Sequence, residues 1–227
     1  MIAKTSAGTG KRLGEKGFIS TGMVAGWYAG ITAKNMSEFE TDAKRMTAYL
    51  STGDAVLEVA PGPGYLSIAL AKLGSYRVIG MDISQAFVDI SRKKAAEAGV
   101  QVEFRQGDAS QMPFQANMFN LVICRAAFKN FAAPVIALNE MYRVLKVGGK
   151  AVIIDLRRDA SPADIDRAVG AMGLNGLNRL MTKLTFRHML LKRAYTADTF
   201  KSLIAQTSFQ HYDIKQDTIG IEIHLDK

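Results

Sequence analysis

The groups in this 227-residue sequence that could hold a polar ligand are three acids and a glycine turn. Glu58 stands four residues before Gly62, within Glu58-Val59-Ala60-Pro61-Gly62-Pro63-Gly64. Glycine lets the backbone turn sharply and lets a ligand come close. Asp82, followed by Ile83, lies 18 residues past Gly64, and Asp108 sits between Gly107 and Ala109. A dinucleotide loop would carry a third glycine in G-x-G-x-x-G, and Ser67 occupies that place. A second group is cationic: Arg125, Lys129, Arg157 and Arg158, suited either to an anionic ligand or to ion pairing. The acids near them in the chain are Asp155 and Asp159, enough for two of the four. Tyr28, Arg125 and His188 are the candidates for a catalytic role, although a lone helical histidine is more often packed or solvated.

The elements that must position these residues follow from periodicity. Val56–Val59 is an apolar run, and Tyr65–Leu73 carries Leu66, Ala69, Leu70 and Leu73 at helical spacing. Strand, glycine turn and helix open a doubly wound α/β sheet, in which ligands sit at the carboxyl ends of strands. Further strands are predicted at Tyr76–Met81, Val100–Gln106, Phe119–Cys124 and Ala151–Leu156. Between them, Ser84 can cap a helix carrying Phe87 and Ile90. Pro134 suits the first turn of another, carrying Val135, Leu138, Tyr142 and Leu145 and ended by Gly148-Gly149. The alternation then breaks over residues 157–195, too long for a loop without helices of its own. Thr196 can cap a last helix, and Phe209–Lys215 with Thr218–Leu225 reads as an antiparallel hairpin.

The expected architecture is one domain with four parts. Residues 1–50 form a helical leader or lid, 51–156 the ligand-binding core, 157–195 a helical cap, and 196–227 the last helix and hairpin. In the leader, Trp27 reads as a hydrophobic anchor and Tyr28 as part of a lid. Apolar content of 48% is ordinary for a globular domain. A net charge of +8 suits an acidic substrate, nucleic acid or a merely solvated basic surface. The single cysteine, Cys124, excludes an internal disulfide and argues against a cysteine-based zinc site, so no metal is expected. No apolar run approaches the roughly 20 residues that span a bilayer. The first residues have no signal-peptide pattern, and a cytoplasmic setting is expected. The oligomeric state is left open, with a homodimer among the alternatives.

The Glu-x-Ala-Pro-Gly-x-Gly loop resembles that of the class I S-adenosylmethionine (SAM) dependent methyltransferases. Further marks are Gly107-Asp108-Ala109 with Met112-Pro113-Phe114, and Glu140-x-x-Arg143-Val144-Leu145-Lys146-x-Gly148-Gly149. The likeness is greatest to the enzymes related to ubiquinone and menaquinone biosynthesis. It implies a Rossmann-like seven-stranded sheet closed by an antiparallel hairpin, with SAM as cofactor and S-adenosylhomocysteine as product. It also implies cofactor contacts at Glu58, Ala60, Pro61, Gly62, Gly64, Asp82, Ile83, Gly107, Asp108, Ala109 and Arg125. Free N–H groups from Ala60 to Gly64 would take the amino-acid carboxylate. Asp82 would take the ribose diol and Asp108 the adenine amine. Tyr28, Phe128, Lys129, Arg157, His188 and Tyr195 would face a small-molecule substrate, acidic or partly apolar, with Phe131 adding apolar bulk. The alternatives are a nucleic-acid methyltransferase, a nicotinamide dehydrogenase and a non-catalytic SAM-binding partner subunit. A nucleic-acid partner is disfavoured because Cys124-Arg125-Ala126-Ala127 follows the fourth strand, with no Asn-Pro-Pro-Tyr-like element.

Overall fold

A computed structural model describes residues 36–227, apart from the His188 side chain, so Trp27 and Tyr28 lie outside the described residues. Seven strands form one sheet in the order β3-β2-β1-β4-β5-β7-β6. They are β1 (Ala55–Val59), β2 (Arg77–Asp82), β3 (Glu103–Gln106), β4 (Phe119–Arg125), β5 (Leu145–Leu156), β6 (His211–Gln216) and β7 (Gly220–Asp226). The first five are mutually parallel, and β7 runs antiparallel to both β5 and β6. The expected seven-stranded sheet and its terminal antiparallel hairpin are therefore present.

Helices α1 (Met36–Met46), α2 (Tyr65–Leu73), α3 (Gln85–Glu97), α4 (Pro134–Val144) and α7 (Ala197–Ile204) cover the sheet. Residues 157–195 hold α5 (Pro162–Ala171) and α6 (Gly176–Thr185), followed by a wide turn at Phe186–Leu190. The alternation of strand side chains separates two cores. Leu57, Val59, Val122, Cys124 and Ile153 pack with Leu138, Met141 and Phe200. Val56, Val78, Leu121, Ile123 and Val152 pack with Ala43, Met46, Leu66 and Leu70. Glu58 is in phase with Val56, so its carboxyl enters the second core, where α2 lies.

Three sequence expectations change. β3 starts only at Glu103, and β2 runs on to include Asp82. β5 starts at Leu145, immediately after α4, so Gly148-Gly149 lies within the strand and does not end the helix. There the register jumps from Phe119↔Leu145 to Leu121↔Lys150, so extra residues of β5 bulge out. Gly148 has φ +78°, and a Cβ on Gly149 would stand 2.9 Å from the Lys146 carbonyl. Cap residues behave as read: Ser84 accepts from Phe87 N–H and Thr196 from Thr199 N–H.

Gly80, in the middle of β2, shows how closely this sheet is covered. A Cβ there would lie 2.5 Å from the Phe104 ring. Gly80→Ala should lower stability by about 1–3 kcal/mol in urea denaturation. Adding Phe104→Leu should recover part of that loss, because the obstacle is a side chain and not backbone.

A candidate ligand cleft at the strand ends

The carboxyl ends of β1, β2 and β4 open into one cleft. Its walls include Phe39, Glu58, Ala60, Pro61, Gly62, Asp82, Ile83, Phe87, Gly107, Ala109, Arg125 and Phe131. Nine of the eleven residues expected around the cofactor thus meet there from four loops. Gly64 and Asp108 are the exceptions. Gly64 sits at φ +79°, and a Cβ on it would be 2.8 Å from both Phe104 and Ser91, so glycine is required by packing beneath the loop. Asp108 Oδ1 accepts from the Ser110 N–H and hydroxyl at 2.8 and 2.6 Å, closing its own turn.

Asp82 fixes the cleft's shape. One carboxylate oxygen accepts from Gly62 N–H at 3.0 Å and the other from Ser84 N–H at 2.9 Å. The expectation of free N–H groups from Ala60 to Gly64 is overturned. Two of these residues are prolines, without a donor. The other three N–H groups are bonded to Met81 O, Asp82 Oδ2 and Pro61 O. Ala60 and Ala126, at the ends of β1 and β4, take φ values of +56° and +59°. Such values are uncommon for residues with a Cβ and concentrate at functional loops.

Glu58 lies on the floor of the cleft at 2% exposure, hydrogen-bonded by the Ser67 hydroxyl and backbone. Ser67, in the place of a dinucleotide site's third glycine, is thus the partner of this buried acid. Burial pushes the Glu58 carboxyl up to about 7, while Ser67 and the nearby Arg125 charge act the other way.

Three of the four cations are not a free anion site, because acids of the fold engage them. Arg125 lies over the Phe39 ring, its Nε donates to Asp42 Oδ2 at 2.7 Å, and Nη2 donates to Glu38 at 3.1 Å. It still lines the cleft, but as the staple holding α1 over the mouth. Arg45 on α1 also pairs with Glu222 of β7. Lys129 is 6% exposed and donates to Asp155 at 2.7 Å and to the Ala126 carbonyl. Arg157 donates to Asp164 at 3.2 Å, and Arg158 is exposed.

The expected substrate side chains are accordingly not gathered in the cleft. Phe128 is fully buried among Phe131, Tyr195 and Phe200. Lys129, Arg157 and Tyr195 do not line the cleft, and burial raises the Tyr195 hydroxyl pKa above its usual value. His188 belongs to the Phe186–Leu190 turn, and its side chain lies outside the described residues, as does Tyr28. Sequence reasoning missed Phe39, Phe87, Ala127 and Asn130, all in the lining. The Glu140-x-x-Arg143 element stands behind the cleft: Arg143 donates to the Phe114 and Met112 carbonyls and Glu140 accepts from Met112 N–H. It pins the segment after β3 that carries Gly107 and Ala109. Among the described residues, no group of metal-binding side chains and no helix long and apolar enough to cross a membrane is present.

Residues 57–153 match the family model described as a methyltransferase domain. A demethylmenaquinone methyltransferase of Deinococcus radiodurans is 32% identical over 60% of this chain and 51% of the relative, so the match spans about half that protein. The ubiquinone/menaquinone biosynthesis C-methyltransferase UbiE of Neisseria meningitidis is 29% identical over 77% and 74%. A Methanococcus maripaludis chain assigned as an S-adenosyl-L-methionine-dependent methyltransferase superposes with a TM-score of 0.72 at 21% identity, covering 98% of this chain and 97% of that one. The seven-stranded fold is shared with it.

Two outcomes follow from the buried charges. Lys129→Met leaves Asp155 unpaired in the interior and should cost about 3–5 kcal/mol of stability, read by chemical denaturation; a surface anion-binding lysine would cost almost nothing. For Glu58, the folded value of about 7 lies above the ordinary 4.5. The folded protein therefore holds this proton more tightly than the unfolded chain, and stability is lost as pH rises from 4.5 to 7. Glu58→Gln removes that loss, so its stability advantage over the wild type should grow by about 2 kcal/mol between pH 5 and pH 8.

Proposed function

We infer that this chain, in which residues 57–153 carry a methyltransferase domain, transfers a methyl group from SAM to a small, largely apolar acceptor. The observation that carries the reading is the Asp82-clamped loop opening into a cleft lined by Glu58, Asp82 and mostly apolar residues. SAM supplies an electrophilic methyl and its own leaving group. The protein's task is then to align the partners and exclude water.

The residues present suit the cofactor in most respects. The Asp82 carboxylate, which accepts from Gly62 and Ser84 N–H, lies in the cleft lining where ribose hydroxyls would come within its reach. Met81, Ile83, Phe87, Gly107 and Ala109 offer an apolar slot for a flat base. Asp82 and Glu58 are the acids that would face an amine and a sulfonium, and Glu58, which holds its proton near neutrality, would release it as such a cation arrives. The amino-acid carboxylate departs from the expected pattern, since the loop donors are engaged. Among the described residues Arg125 is the cation in the cleft lining, and Nη1, outside its bonds to Asp42 and Glu38, is the donor that would receive it.

The acceptor side is formed by Phe39, Ala126, Ala127, Asn130 and Phe131. This wall suits an aromatic ring better than the acidic group expected from the four cations, three of which the fold pairs with acids. The names of the relatives point the same way, towards a ring of the quinone-biosynthetic kind. The position of the methylated atom and the group that takes a proton from it are not assigned.

The test is calorimetric binding combined with transfer of a labelled methyl group to a panel of hydroquinone and phenol acceptors. The wild type should bind SAM and S-adenosylhomocysteine but not NAD. Asp82→Ala should weaken SAM at least about 100-fold, as expected for losing two hydrogen bonds to a charged group, with a cooperative melt retained. Unchanged SAM affinity in that variant would remove the basis of the reading.

A further inference from the structure

The helix α6 is inside out. Leu177, Leu180, Met181 and Leu184 recur at i, i+3, i+4 and i+7, one continuous helical stripe. Such a stripe is expected to face a core, and the Met172, Met181 and Met189 side chains nearby read in the sequence as core fillers. Instead the four stripe residues are 73%, 55%, 57% and 44% exposed, and Met172 and Met189 are exposed as well. What turns inward is polar: Thr182 and Lys183 are half-buried, and Lys183 pairs with Asp166 of α5 at 2.5 Å. Phe186, just beyond the helix, is the apolar anchor, packed against Ile165, Val169 and Leu191. The cap thus has a small core of its own and needs nothing from the stripe.

The charge around the stripe selects its partner. Residues 157–195 hold eight arginines and lysines against three aspartates. Two of those aspartates, Asp164 and Asp166, are already paired to Arg157, Arg167 and Lys183. Arg179, Arg187, Lys192 and Arg193 are all exposed. A second copy laid on this face by a two-fold axis would bring like charges together. Residues 1–35 are a poor occupant for the same reason, with five basic side chains and one acid. A cap with an exposed apolar stripe and exposed cations following it suits an anionic lipid surface, where leucine and methionine enter the acyl boundary and arginine meets headgroup phosphate.

We propose that the cap between β5 and α7 docks on an anionic lipid bilayer through the outward face of α6. The cap leaves β5 at the sheet edge that also opens the ligand cleft, so docking would bring the cleft to the membrane side of the molecule. The proposal does not depend on the reaction catalysed.

The experiment is vesicle flotation of the full chain. The wild type should float with vesicles of phosphatidylglycerol and phosphatidylcholine and be released by high salt. It should stay unbound with phosphatidylcholine alone. Leu180→Glu with Met181→Glu should reduce partitioning at least tenfold. Arg187→Gln should reduce it about fivefold. Leu180, Met181 and Arg187 are exposed, so the melting temperatures of their variants should match the wild type; if the glutamate pair fails to fold, Arg187→Gln decides. Absence of flotation overturns the proposal, as does equal binding to neutral vesicles. A concentration-dependent dimer in sedimentation velocity that Leu180→Glu abolishes would also overturn it, assigning the face to a second copy.

Discussion

One carboxylate holds the working edge of this molecule together. Asp82 spans the gap between the loop after β1 and the start of α3 by accepting a backbone N–H from each. Both loops would otherwise have to satisfy buried donors with water. Because Pro61 and Pro63 remove donors, the loop's remaining N–H groups can all be satisfied locally, which leaves it closed and rigid. The left-handed Ala60 and the φ +55° of Gly62 are retained because this network determines them. The cleft is therefore preorganised by hydrogen bonds, and a ligand need not order the loop in order to bind.

Around that fixed edge lie two buried electrostatic arrangements of opposite kind. Among the described residues, Glu58 is a buried acid with no cationic partner in contact, and it holds a proton near neutrality. Lys129 and Asp155 form a dry ion pair whose members are each needed by the other. The first can respond to a positive charge arriving in the cleft. The second only fixes the turn after β4. Arg125 stands between the two regimes, since it lines the cleft and also fastens α1 through Asp42, Glu38 and the Phe39 ring.

Local pattern revealed the sheet because β1, β2, β4 and the second half of β5 are short, mostly apolar runs, and the hairpin because Ile219, Ile221, Ile223 and Leu225 alternate. Most of the cleft was legible for the same reason, since its residues follow strand ends in order. What stayed hidden was pairing between distant segments. Arg125 is neutralised from α1 and Arg157 from α5, so counting nearby acids left both falsely unpaired. Periodicity also reports that α6 has an apolar face but not which way that face turns, and its inward polar side could not be read. The bulge in β5 escaped because two glycines after a helical run look like a stop signal, whereas here they release the register of a strand.

The strand order has a consequence for biosynthesis. β5 is an edge strand of the parallel sheet until β7 pairs with it along Lys150–Leu156, and β7 follows some 60 residues later in the chain. While those residues are still being made, the apolar run Ala151-Val152-Ile153-Ile154 presents an open row of backbone donors and acceptors. Such an edge is where a nascent polypeptide recruits a stray strand from another. The intervening cap, with its compact helical pair, is made during that interval and extends from the same strand.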